Sequence, residues 1–144
     1  MTTLRPSVTI TDADPERDFD GILALYAAHA WIHANTPDRL RRAITMSSLS
    51  IVARESDEIV GYARALSDGE FAVYIADILV RPDRQGQGIG SALFTHMLRR
   101  YPIDRFHHQV LMSERGAEGF YRKHGLLPVS TFGLTAFIRT RDSR

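Results

Sequence analysis

The stretch Ile75-Ala76-Asp77-Ile78-Leu79-Val80-Arg81-Pro82-Asp83-Arg84-Gln85-Gly86-Gln87-Gly88-Ile89-Gly90 runs an apolar strand straight into a glycine-rich turn. Proline cannot donate to a strand ladder, so Arg81-Pro82 ends the strand. Beyond the glycines, Ile89, Leu93, Phe94, Met97 and Leu98 recur on one helical face up to about Arg100. Glycine accepts positive φ and lets a ligand approach the backbone closely. The first N–H groups of a helix have no intrahelical partner, and the helix dipole adds positive potential there. Such a turn suits a phosphate or pyrophosphate, and Arg81, Arg84 and Gln85 can add charge and hydrogen bonds. A P-loop would need Lys and then Ser or Thr where Ile89-Gly90-Ser91 stand. A dinucleotide fingerprint would need G-x-G-x-x-G, whereas Gly86 to Ser91 reads G-x-G-x-G-S. On these residues alone, a plain helix start between two packed elements remains the competing reading.

Upstream, Ser50–Glu55, Ile59–Leu66 and Phe71–Val80 read as three strands. Asp57-Glu58 and Ser67-Asp68-Gly69 are the turns between them, which implies an antiparallel meander. Before the meander, Val8–Thr11 alternates as a first strand, and Ile22, Leu23, Leu25, Tyr26 and His29 place a helix over about Asp14–His29. Pro37–Met46 reads as a second helix with Thr36 as its N-cap and Pro37 at its first position. Downstream, Phe106–Met112 reads as a strand, Ala117–His124 as a short helix ended by Gly125, and Val129–Arg139 as one or two closing strands. The expected architecture is a mixed α/β (α+β) fold: a mostly antiparallel sheet of six to seven strands flanked by about four helices. The whole chain, 1–144, reads as one domain.

Composition narrows the function. The chain has 144 residues, 44% hydrophobic and 24% charged, with a formal net charge of +1. That reads as globular and shows no basic stripe for nucleic acid. With no cysteine, disulfides, thiolate nucleophiles and thiolate metal sites are excluded. His107-His108 has no third ligand at metal spacing, so no metal site is expected. No signal-like or membrane-spanning run is present, so the expectation is a cytoplasmic protein without membrane contact.

Gln85-Gly86-Gln87-Gly88-Ile89-Gly90 resembles the Q/R-x-x-G-x-G/A signature of the GNAT superfamily of N-acetyltransferases. Ile78-Leu79-Val80-Arg81-Pro82 resembles that family's fourth strand, and Phe120-Tyr121-Arg122-Lys123-His124-Gly125-Leu126 its later F-Y-x-K-x-G-F segment. Element order and length agree over nearly the whole chain. The resemblance implies an acetyltransferase fold with acetyl-CoA as cofactor. The pyrophosphate of coenzyme A would be held by the backbone of Gln85, Gly86, Gln87, Gly88, Ile89, Gly90 and Ser91. The pantetheine arm would lie along Ile78, Leu79 and Val80 as a pseudo-strand. Many members carry an asparagine seven residues before the tyrosine, where this chain has Glu114.

The implied chemistry is attack by an amine on a thioester. An alkylamine with a pKa near ~10 must first lose a proton. By the resemblance, Tyr121 is the acid that protonates the leaving sulfur; an aromatic core residue is the competing reading. Asp77, the one carboxylate between Phe71 and Val80, is the base candidate. A structural aspartate that pairs with an arginine or caps a bulge competes with that, as does a water chain. The acceptor pocket would draw on Tyr26, Trp31, Tyr62 and Tyr74, together with His29 and His33; Tyr26 and Trp31 as plain core is the alternative. The expected acceptor is a small-molecule primary amine, an arylalkylamine or polyamine. Acetylation of a protein lysine or N-terminus, and a non-catalytic acyl-CoA-binding module, stay open. Dimers are common in the family, so a homodimer is allowed, although no residue pattern specifies one.

Overall fold

The computed structural model describes residues 3–141, so the outermost positions of the expected 1–144 domain lie outside the described residues. The elements run β1 (Val8–Asp12), α1 (Phe19–Ala28), α2 (Pro37–Met46), β2 (Leu49–Glu55), β3 (Glu58–Ser67), β4 (Ala72–Val80), α3 (Ile89–Arg100), β5 (His108–Val110) and α4 (Glu118–Lys123). The chain falls into two compact units that divide after Met112. The first holds a five-stranded sheet in the order β1-β2-β3-β4-β5, antiparallel except for the parallel β4–β5 pair. The second holds α4, a 3₁₀ turn at Val129–Phe132 and an extended tail.

Successive residues of a strand point to opposite faces, and β3 uses this to carry helices on both. Tyr62, with Val52 of β2 and Leu79 of β4, packs against Phe19, Ile22, Leu25 and Tyr26 of α1 and Leu40 and Ile44 of α2. Burying each of these side chains contributes about 1.5–3 kcal/mol. Gly61, the next residue along, faces α3. A Cβ there would stand 2.9 Å from Leu93 Cδ1 and 3.0 Å from Ile89 Cγ2, so the missing side chain lets the first turn of α3 sit down on the sheet.

Helix α1 starts at Phe19 rather than near Asp14 because two carboxylates shape the chain ahead of it. Asp14 Oδ1 accepts the N–H groups of Glu16 and Arg17 at 2.9 and 3.0 Å, folding a turn rather than a helix. Asp18, 1% exposed, accepts from the Asp14 N–H at 2.8 Å, from Arg17 at 3.0 and 3.1 Å, and from Arg54 of β2 at 2.9 Å. Burial alone would raise the Asp18 pKa; the bonds from Arg17, Asp14 and Arg54 outweigh it and hold the carboxyl at about 2. A depressed carboxyl pKa stabilises the fold above the unfolded value of 3.8 and loses that contribution as pH falls toward about 2. Acid unfolding of wild type is therefore expected to steepen in this window relative to Asp18→Asn. Equal slopes for the two proteins would show that Asp18 adds no such stability.

Strand count is where expectation and structure part. The sheet has five strands, not six or seven. Of Phe106–Met112 only His108–Val110 is strand, and Val129–Arg139 supplies no strand. Val129–Phe132 turns, Gly133 follows at φ +70°, and Phe132, Leu134, Phe137 and Ile138 are exposed. Alternating apolar residues make a strand only where a neighbouring ladder receives their N–H and C=O groups, and no strand among the described residues pairs with this tail.

Candidate active site

Between β4 and α3, a 3₁₀ turn at Pro82–Arg84 leads into the glycines. Gly86 has φ +76° and Gly88, the N-cap of α3, has φ +82°, a backbone that L side chains rarely adopt. No side chain caps α3 at Gly88. The loop is braced from within. Arg84 Nε donates to Gln87 Oε1 at 3.0 Å, and its Nη1 pairs with Glu55 at the end of β2.

The strand leading into this loop offers an open edge. β4 pairs with β3 along its length but with β5 only over Ala72–Tyr74. The direction of its later backbone groups follows from one bond: Arg81 N–H donates to Val60 C=O at 2.9 Å. Paired residues of an antiparallel ladder alternate between facing the partner and facing away. Val80 and Ile78 therefore turn their N–H and C=O groups to the open edge, whereas Leu79 turns its own to β3 and its side chain to the core. At the far end of this edge, His29 Nε2–H donates to the Val80 carbonyl at 2.8 Å. An amide-bearing arm laid along β4 would thus meet Ile78 and Val80, with Leu79 behind them, and end at a helix N-terminus. These residues fit coenzyme A.

Asp77 sits beside a bulge. Arg64 pairs with Asp77 but Ala65 pairs with Ile75, so Ala76 is the extra residue and the side chains before and after it switch faces. The switch turns Asp77 toward α1. Its Oδ2 accepts Tyr26 Oη–H at 2.8 Å and Arg64 Nε–H at 2.6 Å. The arginine-pairing reading of this aspartate is thus met, while its side chain bonds no backbone group of the bulge beside it. Yet both donors use the same oxygen. Among the described residues none bonds to Oδ1, and that atom is not sealed from solvent. Arg64 was not among the expected site residues. Reflection of the chain about the Ser67–Ala72 turn sets Arg64 opposite Ala76; only the extra residue of the bulge brings it across from Asp77.

Of the expected pocket residues, Tyr26 and Tyr62 are fully enclosed in the core, while Trp31 and Tyr74 are partly exposed. Burial raises the Tyr26 pKa, and the Asp77 charge adds to it; burial also pushes Tyr62 up to about 12, though its hydroxyl bonds Ser50 at 2.9 Å. Both stay neutral phenols. The ring of Tyr26 lies 5.8 Å from Trp31 and 4.8 Å from His33, so the α1–α2 connection stacks on the residue that pins Asp77. Tyr121 lies on α4 in the second unit, half-buried, its ring edge-to-face with Phe120 at 5.1 Å.

Residues 16–126 match the model of the acetyltransferase (GNAT) family. The chain belongs to this family. An uncharacterized N-acetyltransferase from Porphyra purpurea is 33% identical over 72 residues, 50% of this chain and 41% of that protein. A chloroplastic serotonin N-acetyltransferase from rice is 31% identical over 111 residues, 73% of this chain and 55% of its own. The chain thus spans about half the length of these curated relatives. A solved GNAT-family protein from Streptococcus pneumoniae TIGR4 superposes with a TM-score of 0.77 at 29% identity, covering 98% of both chains. The family match runs across the division after Met112 and takes in the glycine loop, Asp77 and Tyr121. In a GNAT-family chain, the open β4 edge and the loop are the features that suit acetyl-CoA. No helix among the described residues is long and apolar enough to cross a membrane.

Proposed function

We propose that this protein transfers an acetyl group from acetyl-CoA to a primary amine of a small acceptor, an arylalkylamine or polyamine, by direct attack in a ternary complex. The observation that carries the reading is the open edge of β4 beyond Tyr74, which delivers Ile78 and Val80 to a loop of left-handed glycines and a helix start. Acetyl-CoA supplies the activated thioester; the chain supplies position and proton handling. Ile78 and Val80 hold the arm, and the backbone from Gln85 to Ser91 holds the pyrophosphate. Asp77, fixed through Oδ2 by Tyr26 and Arg64, keeps Oδ1 to take the proton of the attacking amine, directly or through water. Tyr121 returns a proton to the departing sulfur. The aromatic residues around Trp31 favour an acceptor with a flat or cationic stem. The rice relative, named for serotonin, supports an arylalkylamine.

Thiol release from acetyl-CoA, followed against a panel of aryl and alkyl amines, tests this directly. Asp77→Asn keeps an acceptor oxygen for Tyr26 and Arg64 but cannot take a proton. It is expected to lower kcat by about 10²-fold or more while leaving coenzyme A affinity unchanged. Tight coenzyme A binding with no turnover of any amine would remove the enzyme reading in favour of an acyl-CoA-binding module. Full turnover by Asp77→Asn would leave a water chain as the base.

A further inference from the structure

Both arginines expected to add charge to the glycine loop are engaged within the protein. Arg81 donates to Asp83 through Nε at 2.6 Å and to Glu58 through Nη1 at 3.1 Å. Arg84, whose side chain is 11% exposed, pairs through Nη1 with Glu55 and donates through Nε to Gln87 Oε1 at 3.0 Å. Among the described residues two buried side-chain atoms lack a hydrogen-bond partner: His33 Nδ1, within the ring cluster over Tyr26, and Arg84 Nη2. The Arg84 guanidinium is thus no phosphate contact. Two of its nitrogens are bonded inside the protein and the third is sealed from solvent.

An unpaired buried N–H works against stability, and an apolar side chain of similar length would fill the space without one. Packing alone therefore does not account for an arginine here. What the guanidinium adds is a link. At one end stands Glu55, the last residue of β2, which accepts from Arg84 through Oε2 and from Ser7 Oγ–H through Oε1 at 2.7 Å. The bonds from Arg84 and Ser7 hold the Glu55 carboxyl below its ordinary 4.5, so it stays an anion at neutral pH. At the other end stands Gln87, the residue between the two left-handed glycines. No side chain caps α3, and nothing lies within 4 Å of a Cβ built at Gly86. Glycine backbone has the most freedom to rearrange. The Arg84–Gln87 bond ties this stretch to the end of the sheet.

We propose that Arg84 is a positioning residue that makes the loop selective for thioesters bearing a pyrophosphate. Through Gln87 it fixes the backbone between Gly86 and Gly88, so the N–H groups that start α3 keep one arrangement. The open edge of β4 offers its groups to the arm without this link. A donor that has the arm but no pyrophosphate is therefore blind to it. The inference rests on the acetyl-CoA reading above and concerns the choice of donor, not of acceptor.

The test uses the full chain. Arg84→Met fills the same space without the guanidinium. Gln87→Leu removes the link from its other end and leaves the Arg84–Glu55 pair in place. Calorimetric titration is expected to show coenzyme A binding about tenfold weaker in each. Because both substitutions cut one link, the double variant should lose no more than about twofold beyond the weaker-binding single variant. Donor choice is the second readout. S-acetylpantetheine keeps the thioester and the arm without the pyrophosphate. Arg84→Met should raise the KM for acetyl-CoA about tenfold, with kcat and the KM for S-acetylpantetheine unchanged, whereas a merely structural lesion raises both KM values. Coenzyme A binding by Gln87→Leu within about twofold of wild type overturns the proposal, as do additive losses in the double variant or a parallel rise in both KM values. Absence of turnover by wild type with every amine, coenzyme A still binding, overturns acetyl transfer instead, and the titrations still decide the role of Arg84. Failure of wild type to bind coenzyme A overturns both. Where Arg84→Met does not fold, the Gln87→Leu titration decides alone.

Discussion

Replacing Gly88 with valine is expected to lower the affinity for coenzyme A by about 100-fold or more, because it breaks the loop in two ways. At φ +82° a β-branched residue is a genuine steric outlier. Holding it there costs about 1–2 kcal/mol. Relief by rotation to negative φ would re-aim the N–H groups of Ile89 and Gly90, which start α3. Two lost charge-assisted bonds to a pyrophosphate, each about 1.5 kcal/mol or more, already amount to a hundredfold. Gly86→Ala is the contrasting case. Its φ is +76° but nothing lies within 4 Å of an added Cβ, so strain is the only penalty and a loss of about fivefold is expected. Calorimetric titration with coenzyme A checks both, with circular dichroism to confirm that the fold persists. Binding by Gly88→Val within about threefold of wild type would mean that the loop does not hold the pyrophosphate.

The contrast between Gly88 and Asp77 also explains what was legible in the chain before its structure. A left-handed glycine ahead of an amphipathic helix is a local demand, and the residues that meet it are adjacent. The loop, α3 and the Pro37–Met46 helix could therefore be read with little error. The same holds for the meander, whose turns are short. The partner of Asp77 is not local: Arg64 faces it because of an extra residue at Ala76, and a bulge leaves no clear mark on an apolar strand. Tyr26 reads equally well as pocket or core from helical spacing alone, and only its enclosure beneath Trp31 and His33 separates the two. His33 was visible as a residue but not as an unpaired nitrogen. The tail failed for the opposite reason. Leu134 to Ile138 has a strand-like pattern, but a pattern cannot supply the neighbouring edge that turns it into a strand.

Loss of the Tyr121 hydroxyl is expected to be the largest single effect on chemistry, lowering kcat of Tyr121→Phe by about 10²–10³-fold. In the proposed reaction the amine's N–C bond forms, the C–S bond breaks, sulfur leaves with the electron pair, and Tyr121 would give it the hydroxyl proton. Burial raises the pKa of this phenol above its ordinary 10.0, and the Glu114 carboxylate raises it further. The sign is favourable for an acid: a raised pKa keeps the proton on oxygen through neutral and mildly alkaline pH. Rate should therefore fall only as pH passes the raised value, and Tyr121→Phe should lose that alkaline limb altogether. Glu114→Gln separates the two causes. With the charge gone and burial kept, the limb should move to lower pH while turnover at neutral pH is nearly unchanged. On this proposal Glu114 tunes the acid. The phenylalanine variant keeps the ring that packs edge-to-face on Phe120, so coenzyme A affinity and thermal stability serve as controls. Turnover by Tyr121→Phe within about twofold of wild type would exclude Tyr121 as the acid and leave water to protonate the sulfur.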